Sequence, residues 1–198
     1  REAYYMPEIM GGGAALLDLD ADGDLDAYCV QSGWLDGAHE APINRLFLNK
    51  GGGRFRDATE GSGAGDDGYG MGVAAGDVDG DGHLDLYVTN VGPDVLLRGT
   101  GGGRFEDATE AAGLGHSGWG TSATFVDVDR DGRLDLFCVT YLNWTRETEL
   151  SCRNRMSLPD YCSPKNYENP ARDALYVGVG DGRFEDRSRA SGVHARPG

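Results

Sequence analysis

The sequence is short of positive charge and of long apolar runs. Its 198 residues carry 18 Lys and Arg against 33 Asp and Glu, a net charge of −15. Without a basic stripe, neither nucleic acid nor an anionic membrane surface is a fitting partner. No apolar run approaches the length of a transmembrane span, so membrane insertion is not expected, and no stretch reads as a signal peptide. Catalytic signatures are missing as well: there is no Walker sequence and no Gly-x-Ser-x-Gly elbow. Gly63 to Gly68 has the spacing of a dinucleotide fingerprint, but it precedes a strand and puts Asp66 and Asp67 where phosphates would sit; Gly70 to Ala75 fails in the same way. The four histidines (His39, His83, His116, His194) have no metal-ligand spacing and are expected in exposed loops, and His116 with Cys152 and Cys162 is too small a set for structural zinc. The first residue is Arg1 rather than Met, which is expected of a processed product or an excised piece.

What the sequence does have is one stretch in three copies. Asp77-Val78-Asp79-Gly80-Asp81-Gly82-His83-Leu84-Asp85 is matched by Asp18 to Asp26 and by Asp127 to Asp135. Each copy has acids at positions 1, 3, 5 and 9 and Gly at position 6. These are Asp18, Asp20, Asp22 and Asp26; Asp77, Asp79, Asp81 and Asp85; and Asp127, Asp129, Asp131 and Asp135. A loop turning back through that Gly aims its carboxylates at one point, where they repel unless a cation sits among them. Hard oxygen ligands in this number suit Ca²⁺. An EF-hand shares the first half of the pattern but needs a Glu at position 12, where Cys29, Val88 and Cys138 stand here. Position 9 is therefore expected to close the shell, helped by the backbone carbonyl of position 7 (Asp24, His83, Arg133), which would let that side chain vary. The alternative is three solvated Asp-rich turns. About three Ca²⁺ per chain are expected.

The loops sit in a longer repeat. Gly51-Gly52-Gly53-Arg54-Phe55-Arg56-Asp57-Ala58-Thr59-Glu60 returns 50 residues later from Gly101, and more loosely from Asp181. Each unit reads as a Gly-rich strand, the Asp loop, an apolar strand, a third strand (Asn44 to Leu48, Asp94 to Leu97, Ala174 to Val177), a Gly turn and the Arg-Phe strand. Four strands in about 50 residues is a propeller blade. The predicted class is all-β: an open arc of about three blades, at residues 1–60, 61–110 and 111–190, with 191–198 starting a linker. Three blades do not close a ring, so the outer faces of blades one and three should be apolar and uncovered. Ala3 to Met6 has no evident partner strand within the three units and is assigned to a further blade.

Unit three is 79 residues from Phe to Phe against 50 in unit two, placing 29 extra residues in an insert over 141–172. This is either a binding excursion on a rigid scaffold or a flap over it. Cys152 and Cys162 fall inside it, and a disulfide closing that loop would contribute roughly 3 kcal/mol. Cys29 and Cys138 stand where unit two has Val88 and are expected to be free, buried thiols. Asn143-Trp144-Thr145 fits an N-glycosylation acceptor. One disulfide beside loops suited to millimolar Ca²⁺ points outside the cytoplasm, to secretion, the periplasm or the cell surface.

Tyr69-Gly70 and Trp119-Gly120, opening strands that run into Gly76-Asp77 and Val126-Asp127, resemble FG-GAP (VCBS) repeats of integrin-type propellers. Tyr5 to Gly13, the Gly-Arg-Phe-x-Asp strands and Asp160-Tyr161-Cys162-Ser163-Pro164 resemble more narrowly the cartilage acidic protein family, whose bacterial members often carry an ASPIC/UnbV domain. That resemblance implies a secreted Ca²⁺-binding propeller, usually of seven blades, so that the partners expected are the remaining blades of a longer protein and a protein or glycan ligand. The alternative it leaves is part of a propeller enzyme of secondary-metabolite biosynthesis, to be distinguished by an acid or His cluster near the insert and outside the Asp loops.

Overall fold

The structure, a computed structural model, describes residues 4–35, 39 and 42–195. Its regular elements are strands and single 3-10 turns. The first four strands form one antiparallel sheet in sequence order: β1 (Ala14–Leu17), β2 (Asp26–Cys29), β3 (Arg45–Asn49) and β4 (Phe55–Asp57). The second blade repeats this with β5 (Tyr69–Gly76), β6 (Asp85–Pro93), β7 (Val95–Gly101) and β8 (Arg104–Asp107), and the third with β9 (Ser117–Val126), β10 (Asp135–Thr140), β13 (Ala174–Gly180) and β14 (Arg183–Asp186). The chain is an all-β partial propeller.

The repeated Gly cluster between the third and fourth strands has a conformational cause. Gly51, Gly52 and Gly53 all have positive φ, as do Gly101, Gly102 and Gly103, a run in the left-handed region that side chains resist. In blade three the middle place is Asp181 at φ 52°, a residue type that tolerates it.

Alternation along the strands gives each blade two apolar faces, as packing on both sides requires. Leu86 and Val88 turn toward blade one, joining Tyr28, Leu46 and Leu48 in one buried cluster. Tyr87 and Leu96 turn the other way, joining Leu136, Cys138, Tyr176 and Phe184. The Phe of the fourth strand reports which blades have a predecessor. Phe105 and Phe184 are wedged against the preceding blade at 6% and 7% exposure, whereas Phe55 is 49% exposed. Leu16 in β1 and Val126 in β9 are exposed as well. The outer faces of the arc are apolar and open, as its repeat count requires.

Blades two and three share more than side chains. β6 runs past its own blade, and Val91, Gly92 and Pro93 pair with Trp119, Gly118 and Ser117 of β9, fusing both blades into one eight-stranded sheet. The insert leaves β10 after Thr140 and carries a small hairpin, β11 (Cys152–Arg153) with β12 (Pro159–Asp160), closed by the Cys152–Cys162 disulfide. Cys29 and Cys138 are free.

Within these three blades the described part of the N-terminal segment adds no strand. Ala3 lies outside the described residues, and Met6–Ile9 form a 3-10 turn starting at a Pro-containing first turn. Met6 is fully buried among Tyr69, Met71, Trp119, Leu142 and Trp144, and its N–H donates to Glu149 Oε2 at 2.9 Å. Apolar burial and the insert's carboxylate, rather than strand pairing, hold this segment.

Candidate metal centres

Each Asp loop is built by its own first carboxylate. In the first loop Asp18 accepts the N–H of Asp22 at 3.0 Å and of Gly23 at 3.0 Å. In the second Asp77 accepts Asp81 and Gly82, and in the third Asp127 accepts Asp131 and Gly132, at 3.0 to 3.1 Å. The reversal this needs comes from positive φ at positions 4 and 6: Ala21 and Gly23, Gly80 and Gly82, Arg130 and Gly132. Position 5 then receives the N–H of position 7: Asp24 to Asp22, His83 to Asp81 and Arg133 to Asp131.

The position-9 Asp has a second duty that spacing does not reveal. Asp26, Asp85 and Asp135 are completely buried. One oxygen of each accepts the N–H of loop position 2 (Leu19, Val78, Val128) at 2.8 Å. The other accepts a backbone N–H of the third strand (Asn49, Gly99, Gly178) at 2.8 to 2.9 Å. A carboxylate has about four acceptor sites, so two remain on Asp85 and Asp135 and one on Asp26, which also accepts the Asp20 N–H at 3.3 Å. Position 9 ties the loop to the blade without needing a cation.

The loops bring three acids together each, though not always the same three. Oxygens of Asp77, Asp79 and Asp85 lie within 4.8 Å of one another, as do those of Asp127, Asp129 and Asp135. In the first loop the group is Asp18, Asp20 and Asp22, with Asp26 outside it. Asp81 and Asp131 stand outside the second and third groups, and Asp131 is drawn instead to the Arg133 guanidinium. Basic side chains lean on these clusters: Lys50 Nζ is 3.6 Å from Asp20 and Arg98 is 3.5 Å from Asp79.

The chemistry of these groups fits a hard cation. Asp20 Oδ1 is buried with no hydrogen-bond partner among the described residues, an arrangement that leaves an acceptor aimed at nothing. Desolvation, then the charges of Asp26 and Asp22, push the Asp20 carboxyl above the ordinary range. Desolvation also pushes Asp85 up to about 6 against the pull of its two backbone N–H donors. A cation among these oxygens relieves both.

One polar constellation has no signal in the sequence. His116, expected in an exposed loop, has a side chain only 9% exposed, with Nδ1 2.6 Å from Asp94 Oδ2 and Nε2 2.8 Å from Thr140 Oγ1. Asp94 also accepts the Tyr87 hydroxyl and the Asn90 N–H. The equivalent place between blades one and two is held by Asp66, whose carboxylate accepts the amides of Asn44 and Asn90. The trio is thus a repeated joint between neighbouring blades. His39 is exposed; His83 packs against Gly101, where a Cβ would lie 2.9 Å from its ring.

The two FG-GAP-like repeat matches cover residues 18–88 and 77–138, each opening on the first Asp of a loop. The chain belongs to the FG-GAP-like repeat family. The matched region holds all three Asp loops of this FG-GAP chain and more than half of its length. A search of curated proteins finds no match. No helix among the described residues is long and apolar enough to cross a membrane.

Proposed function

We propose that this FG-GAP chain is an extracytoplasmic, calcium-stabilised propeller module that presents loops to a protein or glycan, in the manner of the cartilage acidic protein family. Its blades are assigned to residues 1–60, 61–110 and 111–190. The carrying observation is the threefold loop, in which the same backbone hydrogen bonds bring three acids together each time. Ca²⁺ would be held by Asp18, Asp20, Asp22 and Asp26 in the first loop, Asp77, Asp79, Asp81 and Asp85 in the second, and Asp127, Asp129, Asp131 and Asp135 in the third. The carbonyls of Asp24, His83 and Arg133 complete the shells. Its role is to neutralise these carboxylates and fix each loop against its blade. The Cys152–Cys162 disulfide supports a location outside the cytoplasm.

The open apolar faces of blades one and three support a further partner, additional blades of the same kind, because Phe55 is the one repeat Phe left without a neighbour to wedge against. The enzyme alternative draws on the Asp94–His116–Thr140 trio, of which His116 and Thr140 line a cavity together with Pro170, Ala171 and Arg172. Its counterpart at the other junction, Asn44–Asp66–Asn90, has no histidine and ties its one carboxylate to the two Asn amides, and that equivalence favours a joint over a catalytic centre.

Calorimetry with Ca²⁺ against Mg²⁺ tests the metal assignment. About three Ca²⁺ per chain with clear preference over Mg²⁺ is expected; equal preference would overturn it, since Mg²⁺ demands a tight octahedron. A screen of the Ca²⁺-loaded protein against glycans and secreted proteins tests the module, and two blank arms would sink it.

A further inference from the structure

The insert is organised by one carboxylate. Glu149 Oε2 accepts the Trp144 indole N–H at 2.7 Å and the Met6 N–H at 2.9 Å. Glu149 Oε1 accepts the Tyr167 hydroxyl and the Leu150 N–H. Both aromatic side chains therefore have their polar tips tied to Glu149, and their ring bodies, with Leu142 and Leu150, wall a cavity of about 330 Å³. That volume is at the small end of the range for small-ligand sites.

The rim is amide. Asn143 and Asn169 brace each other: the Asn143 N–H donates to the Asn169 carbonyl at 2.9 Å, Asn169 Nδ2 donates to the Asn143 carbonyl at 2.8 Å, and Asn143 Nδ2 donates to Asn169 Oδ1 at 3.2 Å. Asn143 Nδ2 also donates to the Pro170 carbonyl, so the side chain of the sequon is engaged within the insert. Asn166 completes the rim, with Nδ2 3.6 Å from Cys152 Sγ, and Cys162 Sγ lies 3.3 Å from the Leu150 carbonyl. The disulfide thus stands directly behind the cavity wall, which presents a site fixed before any ligand arrives.

We propose that this cavity is a saccharide subsite that seats one neutral sugar ring of a glycan. The proposal rests on the binding-module reading above and gives it a ligand class and a place. A sugar ring has a C–H face and an edge of hydroxyls. Ring and Leu surfaces match the first; the second is matched by the Asn166 amide, by Asn143 Oδ1 and by the remaining Asn169 N–H, both Asn143 Nδ2 hydrogens being already donated. A wholly apolar ligand would strip water from the three amides and return nothing. An anionic ligand would meet Glu168 in the lining and no basic side chain there, on a chain of net charge −15.

The test titrates Ca²⁺-loaded protein with chitotriose, cellotriose and methyl α-mannoside, with sialyllactose as the anionic and decanoate as the apolar comparison. Binding of at least one neutral saccharide with Kd below about 10 mM is expected, a threshold set by the weak end of measurable affinity. Leu150→Arg, at a wall position 38% exposed, should weaken it at least about tenfold by filling the cavity. Asn166→Ala, on the exposed rim, should weaken it about three- to tenfold through a lost hydrogen bond. Both variants should keep wild-type melting and Ca²⁺ stoichiometry. Preference for sialyllactose or decanoate, or neutral-saccharide binding untouched by both variants, would overturn the subsite. In the latter case the module reading survives and only its location falls. No saccharide binding with a positive secreted-protein screen also removes the subsite alone; blank results in both remove subsite and module together.

Discussion

Replacing Asp85 by Ala separates two roles that a metal loop ordinarily confounds. The side chain is completely buried, and its two oxygens hold the Val78 and Gly99 N–H groups at 2.8 Å each. Hydrogen bonds to a charged acceptor contribute roughly 1.5–3 kcal/mol apiece, and the two donors left behind would be buried without partners. Part of that loss returns because the carboxylate is itself unfavourably desolvated, as its raised pKa shows. A net destabilisation of roughly 3 kcal/mol follows, equivalent to about 6–12 °C in Tm for a chain of this size. Asp79→Ala is the counterpart: Asp79 belongs to the same acid group and is half-buried, but it holds one backbone N–H, that of Asp81 at 3.2 Å, and faces the Arg98 guanidinium at 3.5 Å, leaving no buried backbone donor behind. With excess chelator, Asp85→Ala should therefore melt several degrees below wild type while Asp79→Ala stays within about 0.5 kcal/mol of it. With Ca²⁺ restored, both should lose one ion by calorimetry. Equal melting of the two variants in chelator would refute the strut, leaving position 9 a ligand and nothing more.

Thiol chemistry gives a second expectation: two reactive thiols in the unfolded, non-reduced chain, and in the folded chain reaction at half-buried Cys29 but not at Cys138, which is fully buried and whose thiol desolvation pushes up to about 12. Light scattering of the isolated chain in Ca²⁺ should show self-association, and Phe55→Ser should reduce it; a wild-type monomer would count against open faces that seek a partner. Because desolvation pushes the Asp85 carboxyl up to about 6, above the ordinary carboxyl range, protons should compete with the cation there, and Ca²⁺ affinity at the second loop should fall as pH drops below about 6. Calorimetry at pH 7 and pH 5 on a variant with the other two loops disabled reads this out. Glu149→Ala should release the N-terminal segment, seen as faster hydrogen exchange at the Met6 amide, with blade melting little changed.

Much of the fold was legible because the same local rules recur three times. Alternating apolar residues between Gly clusters mark strands, and the acids at fixed loop positions mark the turns that join them. Third-strand limits shifted slightly: β3 runs Arg45–Asn49 rather than from Asn44, because the Asn44 backbone N–H donates to the Asp66 carbonyl at 2.9 Å instead of joining the β2 ladder. Three features were hidden, all of them long-range. The β6–β9 pairing depends on where two strand ends meet in space. Met6 looks like a strand residue until the insert, 143 positions away, supplies Glu149. His116 reads as a loop residue because nothing in its neighbours shows that Asp94 and Thr140 close around it. The strut role of position 9 was half visible: the invariant spacing signalled a demand for carboxylate, but not that backbone amides share it with the cation.

The shared strand between blades two and three also sets where the molecule would yield under tension. Those blades are sewn by a backbone ladder at Val91–Pro93, whereas blade one meets its neighbour through side-chain packing and isolated backbone contacts such as Gly70 N–H to the Gln31 carbonyl at 3.0 Å. A ladder must be sheared or unzipped bond by bond; a packed face can part with its side chains still ordered. Stretched from its two ends, the arc has its seam behind blade one, and the remaining pair would come away as a single mechanical piece.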